Sequence, residues 1–343
     1  MKVRAFAIAI LLAACLPAGA QVLQQADDAL RANDPSRAIR LLDEAAANGD
    51  LHAKGRLANL LVNLPPPDRD AARGCMLAGE AAGDGDSAGQ AAQAQCLLAG
   101  LVPAPDRFAR ARDLARLSAA QKDPAGSFVL FLAFVSDPKN AWRHDGKVDM
   151  DAYAALARRT VAERAEQVEA YDALATAAIA GHKEAAILLA SYLFETEGPE
   201  NTRRLHRYLA VLGANGVRAP VLQQYASHVA DMERLGFTQA SGRTFLQAFK
   251  LAASAAAVSA GPQGENRATC RDVRLQAVES GKLQDPEYLP LNHLLLVNSY
   301  LLKGSWEEQW TFIACGRAVT LPVKFEADGW GGARFSVQPR KLS

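Results

Sequence analysis

The chain has 343 residues, of which 50% are hydrophobic and only 7% aromatic, so alanine and leucine supply most of its apolar content. That composition favours closely packed helices over a large β core. The net charge is +1, from 38 basic and 37 acidic side chains. The chain therefore lacks the excess of positive charge that is typical of nucleic-acid-binding proteins and of proteins that bind anionic membranes through a basic patch.

Residues 1–20 have the pattern of a signal peptide. Lys2 and Arg4 form a positive n-region, and residues 5–16 form an apolar run that is too short to span a bilayer as a helix. No other segment approaches transmembrane length without charge. The mature chain is therefore predicted to be exported to the periplasm.

Two processing sites compete within this leader. Ala18-Gly19-Ala20 is a small-x-small cleavage site, whereas Leu12-Ala13-Ala14-Cys15 resembles a bacterial lipobox, in which Cys15 would become a lipidated N-terminus. The pattern favours cleavage after Ala20. The alternative is an outer-membrane lipoprotein, and only that alternative predicts contact with a membrane.

Alanine pairs recur in the chain and indicate a repeat of about 36 residues. They stand at positions 45–46, 81–82, 119–120 and 177–178, each at the end of a helical stretch and before a Gly- or Asp-containing break. Short helices cannot bury their apolar faces alone, so residues 21–260 are predicted to form an α-solenoid of stacked antiparallel helix pairs. The predicted helices cover approximately residues 35–47, 53–61, 71–82, 87–98, 108–120, 126–135, 150–180, 185–194, 202–212, 217–229 and 241–259.

Two of these stretches resemble Sel1-like repeats, which are relatives of the tetratricopeptide repeat. The first runs from Ala38-Ile39-Arg40-Leu41-Leu42 through Ala45-Ala46-Ala47-Asn48-Gly49-Asp50 to Ala53, and the second from Asp172-Ala173-Leu174 through Ala180-Gly181-His182 to Tyr192. The resemblance covers roughly residues 30–230, but the Gly-x-Gly-Val turn typical between units is missing. It implies a scaffold or adaptor protein and brings no catalytic residue.

Export implies an oxidising compartment, in which the four remaining cysteines can pair in three ways. Cys75 and Cys96 lie on consecutive predicted helices at similar distances from the turn near residues 83–85, which predicts a Cys75–Cys96 disulfide. Elimination then predicts Cys270–Cys315. The alternative is that these cysteines are small buried apolar residues without bonds.

A glycine- and proline-containing linker at residues 261–266 separates the helices from a small β module, residues 267–343. Residues 306–312, 317–325 and 333–337 alternate between apolar and polar, which predicts a three-stranded antiparallel meander. Pro322 cannot donate to a ladder, so the second strand is predicted at the sheet edge. Residues 289–302 are the expected cover for the apolar face.

The sequence contains no nucleophile elbow, phosphate-binding loop, dinucleotide fingerprint or His/Cys metal spacing. Glu307-Glu308 is not a catalytic pair, because adjacent strand residues point to opposite faces; both are predicted to face solvent or an edge. Asp149 suits a helix N-cap. Trp306 and Trp310 are expected in the core, whereas Trp330, in a glycine-rich turn, is a candidate exposed contact for a partner.

These observations predict a non-catalytic scaffold or adaptor without a cofactor, which binds a protein or peptide partner through a groove of its helical repeats. One alternative is an envelope enzyme whose site lies at the junction of the helices and the β module. Another is a lipoprotein that docks a cell-envelope complex.

Overall fold

The computed structural model describes residues 18–144, 147–260 and 270–337. This part of the chain is mostly helical and ends in an antiparallel sheet, which confirms the predicted order of a helical region and a C-terminal β region. Most of the leader, the candidate lipidation residue Cys15 and the predicted linker at 261–266 lie outside the described residues. None of the described helices has the length and apolar character that crossing a bilayer requires.

The chain forms two compact units, and the division between them falls at Arg110 and Ala111, inside α6 (Arg107–Ala120). The first unit is helical in its described part, and consecutive helices pack on one another around buried alanine and leucine side chains. Its other helices are α1 (Ala18–Arg31), α2 (Pro35–Ala47), α3 (Leu51–Asn63), α4 (Ala71–Gly83) and α5 (Ser87–Leu98).

One turn geometry joins helices of several pairs and explains the recurring alanines. The amide of Asp50 donates to the carbonyl oxygen of Ala45 at 3.0 Å, and the Asp50 carboxylate accepts from the amide of Ala53 at 2.9 Å. Gly49, at φ +93°, supplies the left-handed residue that such a C-cap requires. One residue thus closes the first helix and caps the second. The same amide-to-carbonyl bond joins Asp86 to Ala81, Asp123 to Ser118 and His182 to Ala177.

Helices joined by this turn approach each other closely, so a small residue is needed near the start of the second helix. Gly89 and Gly126 occupy this position in two pairs, and the fully buried Ala53 and Ala185 occupy it in two others. A Cβ atom on Gly89 would lie 2.5–2.8 Å from atoms of residues 81 and 82. The alanine and glycine periodicity is therefore a packing requirement of the helix pairs.

We expect Gly89→Ala to lower the free energy of unfolding by about 1–3 kcal/mol, because the added methyl overpacks the contact between α4 and α5. Gly79→Ala is the matched control: it lies in the interior of α4, where a Cβ would meet only the Gln93 side chain at 3.6 Å. We expect this control to gain up to about 1 kcal/mol from helix propensity. Urea unfolding of both variants measures the difference, and equal changes would contradict the close approach.

The second unit contains the remaining helices and the sheet. Its helices are α7 (Pro124–Val135), α8 (Met150–Ala157), α9 (Ala165–Ile179), α10 (Lys183–Glu195), α11 (Asn201–Ala214), α12 (Pro220–Leu235) and α13 (Gly242–Ala260), and a two-stranded hairpin of β1 (Arg143–His144) and β2 (Lys147–Val148) precedes α8. Side chains from α7 and α9 to α12 form one apolar cluster with Leu289, Leu296 and Tyr300.

The continuous helix predicted over residues 150–180 is wrong, because the chain breaks between α8 and α9. Arg159 follows α8, and its carbonyl oxygen accepts a hydrogen bond from Arg164 Nε at 3.1 Å. The side chain of Arg164 is only 1% exposed and donates further to carbonyl oxygens at the end of α8. The break falls at Thr160 and Val161, which are β-branched and have low helix propensity. Thr160 and Glu163 form a capping box: Glu163 Oε2 accepts from the Thr160 amide at 2.7 Å, and Thr160 Oγ1 accepts from the Glu163 amide at 3.4 Å.

The sheet has five described strands rather than three: β3 (Val273–Ser280), β4 (Gln284–Tyr288), β5 (Leu301–Ala314), β6 (Arg317–Ala327) and β7 (Ala333–Val337). Their order is β3-β5-β6-β7, and β4 pairs with the other end of β5. The predicted meander corresponds to β5, β6 and β7. The prediction that β6 is an edge strand is wrong, because β6 lies between β5 and β7.

Helix α13 covers the apolar face of the sheet, a role that the sequence assigned to residues 289–302. Ala248, Ala252 and Ala256 are fully buried in one cluster with Trp310 and Phe312. Their small side chains follow one face of α13 and let the helix lie close to the large aromatic residues of β5. The sheet and α12–α13 therefore share one core.

Both predicted disulfides are present. Cys75 in α4 bonds to Cys96 in α5, and their Cα atoms are 5.8 Å apart. Cys270 bonds to Cys315 and so joins the segment before β3 to the two-residue turn between β5 and β6. Cys315 and Gly316 both have positive φ, as tight hairpin turns between twisted strands require.

Candidate functional site

The second unit contains a cleft of about 300 Å³ with an aromatic lining. Its walls come from α8, α9, the end of α10, the start of α13 and the β6–β7 turn. Tyrosine and tryptophan rings dominate the interior, and three polar side chains stand at its rim. The aromatic residues are Trp142, Tyr153, Tyr171, Tyr300 and Trp330, and we call this site the aromatic cleft.

The β6–β7 turn forms one wall and is held by Asp328. Asp328 Oδ1 accepts from the amides of Trp330 at 2.7 Å and of Gly332 at 3.0 Å, while Oδ2 accepts from the Tyr153 hydroxyl at 2.5 Å. Gly331 has φ +80°, and a Cβ there would lie 2.8 Å from the Tyr300 ring. The glycine-rich turn is thus required by both conformation and close packing.

Trp330 is half-buried in this wall, not exposed at a loop tip as the sequence analysis expected. The guanidinium of Arg164 lies 5.6 Å from the centre of its ring, and Arg164 Nη2 donates to the Gly329 carbonyl oxygen at 2.8 Å. Arg164 precedes Trp330 by more than 160 residues, so local composition could not reveal this contact. The ring is held in place and still lines the cleft.

Aromatic rings support one another on the opposite wall. The centres of the Tyr171 and Tyr300 rings are 5.7 Å apart, and Tyr171 lies 5.0 Å from Tyr192. Burial raises the pKa of Tyr171 to about 12 and raises the pKa of Tyr153 as well. These phenols therefore stay neutral at physiological pH and act as hydrogen-bonding groups on an apolar surface.

The rim of the cleft carries charges of both signs. Glu195, Arg243 and Gln247 line the cleft and are exposed to solvent. Within the described chain, neither Glu195 nor Arg243 forms an ion pair with another side chain. Their charges are therefore available to groups that enter the cleft.

Glu197 is buried directly behind the cleft. Its carboxylate accepts from the Ser241 amide at 2.7 Å, the Ser241 hydroxyl at 2.8 Å and the Thr244 hydroxyl at 2.5 Å. Burial raises the pKa of Glu197 to about 7, whereas these hydrogen bonds act in the opposite direction. Thr244 is itself part of the cleft lining.

Glu308 is a second buried carboxylate, and here the prediction of a solvent-facing or edge role is wrong. Its side chain is 0% exposed, whereas the neighbouring Glu307 is exposed on the other face of β5, as strand alternation requires. Glu308 accepts from the indole N–H groups of Trp306 and Trp310 at 3.2 and 2.9 Å. Further donors are Thr238 Oγ1, the Gln239 amide and Ser280 Oγ.

We expect Glu308→Ala to lower the free energy of unfolding by about 3 kcal/mol or more, because it leaves several buried donors without an acceptor. Glu307→Ala on the exposed face should change it by no more than about 0.5 kcal/mol. Guanidinium unfolding followed by tryptophan fluorescence compares the two. Similar small effects would show that the Glu308 hydrogen bonds contribute little.

The other residues that the sequence analysis named have structural roles, in the core or at a helix end. Trp306 and Trp310 lie in the sheet core, as predicted, and Asp149 Oδ1 caps α8 by accepting from the amides of residues 151 and 152. In the described ranges, no group of three or more His, Cys, Asp or Glu side chains is arranged to hold a metal ion.

Comparisons of the chain with models of protein families, with curated proteins and with solved structures found no match. The Sel1-like resemblance therefore stays a prediction. Sequence reasoning singled out Trp330 but missed the other four aromatic residues of the cleft and Asp328, because their convergence depends on contacts between distant segments. The available signal was the turn Asp328-Gly329-Trp330-Gly331-Gly332, whose aspartate and glycines favour a tight, ordered loop.

Proposed function

We propose that this protein is an exported, non-catalytic binding protein and that the aromatic cleft receives a side chain of an extended peptide segment from a partner. The observation that carries the proposal is the convergence of five aromatic residues and two opposite free charges in one cleft. Tyrosine and tryptophan provide large, rigid contact areas at low entropic cost and are enriched at binding hot spots.

The size of the cleft supports this ligand class. A volume of about 300 Å³ is at the lower end of the range for binding pockets and suits one large side chain with its flanking backbone. Glu195 and Arg243 stand where they can pair with charged or backbone groups on either side of that side chain. The aromatic rings would provide the contact area for the side chain, and the two charged residues at the rim would orient the peptide.

The helices would present this cleft from a repeat scaffold. Within the second unit, α9, α10, α11 and α12 pack in sequence on their neighbours, as stacked helix pairs of a Sel1-like or tetratricopeptide-like solenoid do. Both disulfides and the leader pattern support export to an oxidising compartment, the periplasm.

The test is selection of peptides from a random displayed library with the full mature chain, followed by affinity measurement on rim variants. We expect Arg243→Ala and Glu195→Gln to weaken the selected peptides by about fivefold or more, since each removes a direct contact. Fluorescence polarisation with labelled peptides measures the dissociation constants.

Lys250→Ala is the matched control for Arg243→Ala. Both residues are exposed cations on α13, but only Arg243 lines the cleft. Equal affinities of wild type, Arg243→Ala and Glu195→Gln would place binding elsewhere on the protein. A library that yields no binder would count against recognition of peptides.

A further inference from the structure

Glu197 connects three parts of the aromatic cleft to one buried carboxylate. Its side chain accepts from Ser241 and Thr244 at the start of α13. Its backbone amide donates to the Gly331 carbonyl oxygen at 2.8 Å, and its carbonyl oxygen accepts from the Leu301 amide at 2.8 Å. Thr244, Gly331 and Tyr300, which precedes Leu301, all line the cleft. A change at this residue therefore reaches three walls of the site.

The Glu197 carboxylate is held by hydroxyl and amide donors. Each Glu197 oxygen accepts from Ser241, and Oε1 also accepts from the Thr244 hydroxyl. In the described structure, no cation forms an ion pair with Glu197. Burial, and to a smaller extent the Asp328 carboxylate, raise its pKa to about 7. Both ionisation states are then populated near neutral pH.

The elements that meet at Glu197 carry few other charges. The titratable or charged groups nearest in the chain to the residues of the cleft are Glu195 of α10, Glu200 just before α11, Arg203 and Arg204 of α11, Arg243 of α13, Tyr300 and Asp328. Glu195 and Arg243 are exposed at the rim, and the Asp328 carboxylate is occupied by Tyr153 and two turn amides.

Protonation of Glu197 requires its hydrogen bonds to rearrange. Oε2 can keep the Ser241 amide, because a carbonyl oxygen of the neutral acid also accepts. A proton on Oε1 must instead be donated, and the acceptors within reach are the Ser241 and Thr244 hydroxyl oxygens. If Thr244 accepts, its own hydrogen turns away from Glu197 and becomes available to the cleft.

We propose that Glu197 is a proton-linked positioning residue of the aromatic cleft, whose ionisation state sets the direction of the Thr244 hydrogen bond and thereby couples ligand binding to proton uptake. The coupling to binding rests on the proposed function. The coupling of Glu197 to the cleft does not, because it can be measured without a ligand.

The test is ¹⁹F NMR of the full mature chain labelled with 5-fluorotryptophan, titrated from pH 5 to pH 8.5. The chain has four tryptophans, and Trp330→Phe assigns the resonance of interest. We expect the Trp330 resonance to shift with a midpoint near pH 7, and we expect Glu197→Gln to abolish that shift, because the amide keeps the shape of the side chain but cannot ionise in this range. A Trp330 resonance that does not move in wild type, or moves equally in Glu197→Gln, overturns the proposal.

Thr244→Val gives a second test if Glu197→Gln does not fold. The Thr244 hydrogen bond lowers the pKa of Glu197, so its removal should move the Trp330 midpoint to higher pH. An unchanged midpoint overturns the coupling.

Stability measured over the same pH range separates positioning from a purely structural role. A raised folded-state pKa stabilises the protein at low pH, and this contribution is lost as pH rises from the ordinary value of 4.5 towards 7. One outcome would overturn the proposal: Glu197→Gln loses this pH dependence of stability, but the Trp330 resonance of the wild type does not shift with pH. Glu197 would then have a structural role only. If Trp330 titrates and no peptide binds, the coupling stands and the proposed function fails.

Discussion

The second unit depends on two buried carboxylates that have no cationic partner among the described residues. A buried charge is costly unless hydrogen bonds replace its hydration. Glu197 and Glu308 both obtain such bonds from the segment between α12 and α13: Glu308 from Thr238 and Gln239, and Glu197 from Ser241. This segment is thereby fixed between the α10–α11 turn and strand β5. The start of α13, which forms a rim of the cleft, is placed by these bonds.

The position of α13 in turn determines how the sheet is buried. Its alanine face lies against Trp310 and Phe312, while Arg243 and Gln247 on its first turns reach the cleft. The same helix therefore serves the core of the sheet and the wall of the candidate site. Removal of the C-terminal strands would expose this alanine face together with Phe245, so the strands and α12–α13 fold as one body.

Local patterns were sufficient for most of the helices, for strands β5, β6 and β7 and for both disulfides, because each depends on residues that are close in the chain or on simple pairing. They did not predict β3 and β4. They were insufficient for the burial of Arg164, which also contacts the distant Gly329, and for Glu308, whose donors Thr238 and Gln239 lie about 70 residues away. The cleft was missed for the same reason. Only Trp330 could be found, because the glycines around it mark an unusual turn, yet its burial depends on the distant Arg164.

The interior of the cleft is held rigidly, whereas its rim is exposed to solvent, and this difference affects how the cleft can bind a ligand. Asp328 and Arg164 hold Trp330 and its turn from behind, and Asp328 also fixes the Tyr153 hydroxyl, so the aromatic surface is organised before any ligand arrives. A preorganised surface binds more tightly because less ordering entropy is lost on association. Glu195 and Arg243, by contrast, are exposed and can adjust to the ligand. Glu197 lies between these two layers: its carboxylate holds the start of α13, which carries Arg243, and its backbone holds the turn that carries Trp330. A change in its ionisation would therefore act on the rigid wall and the adaptable rim together.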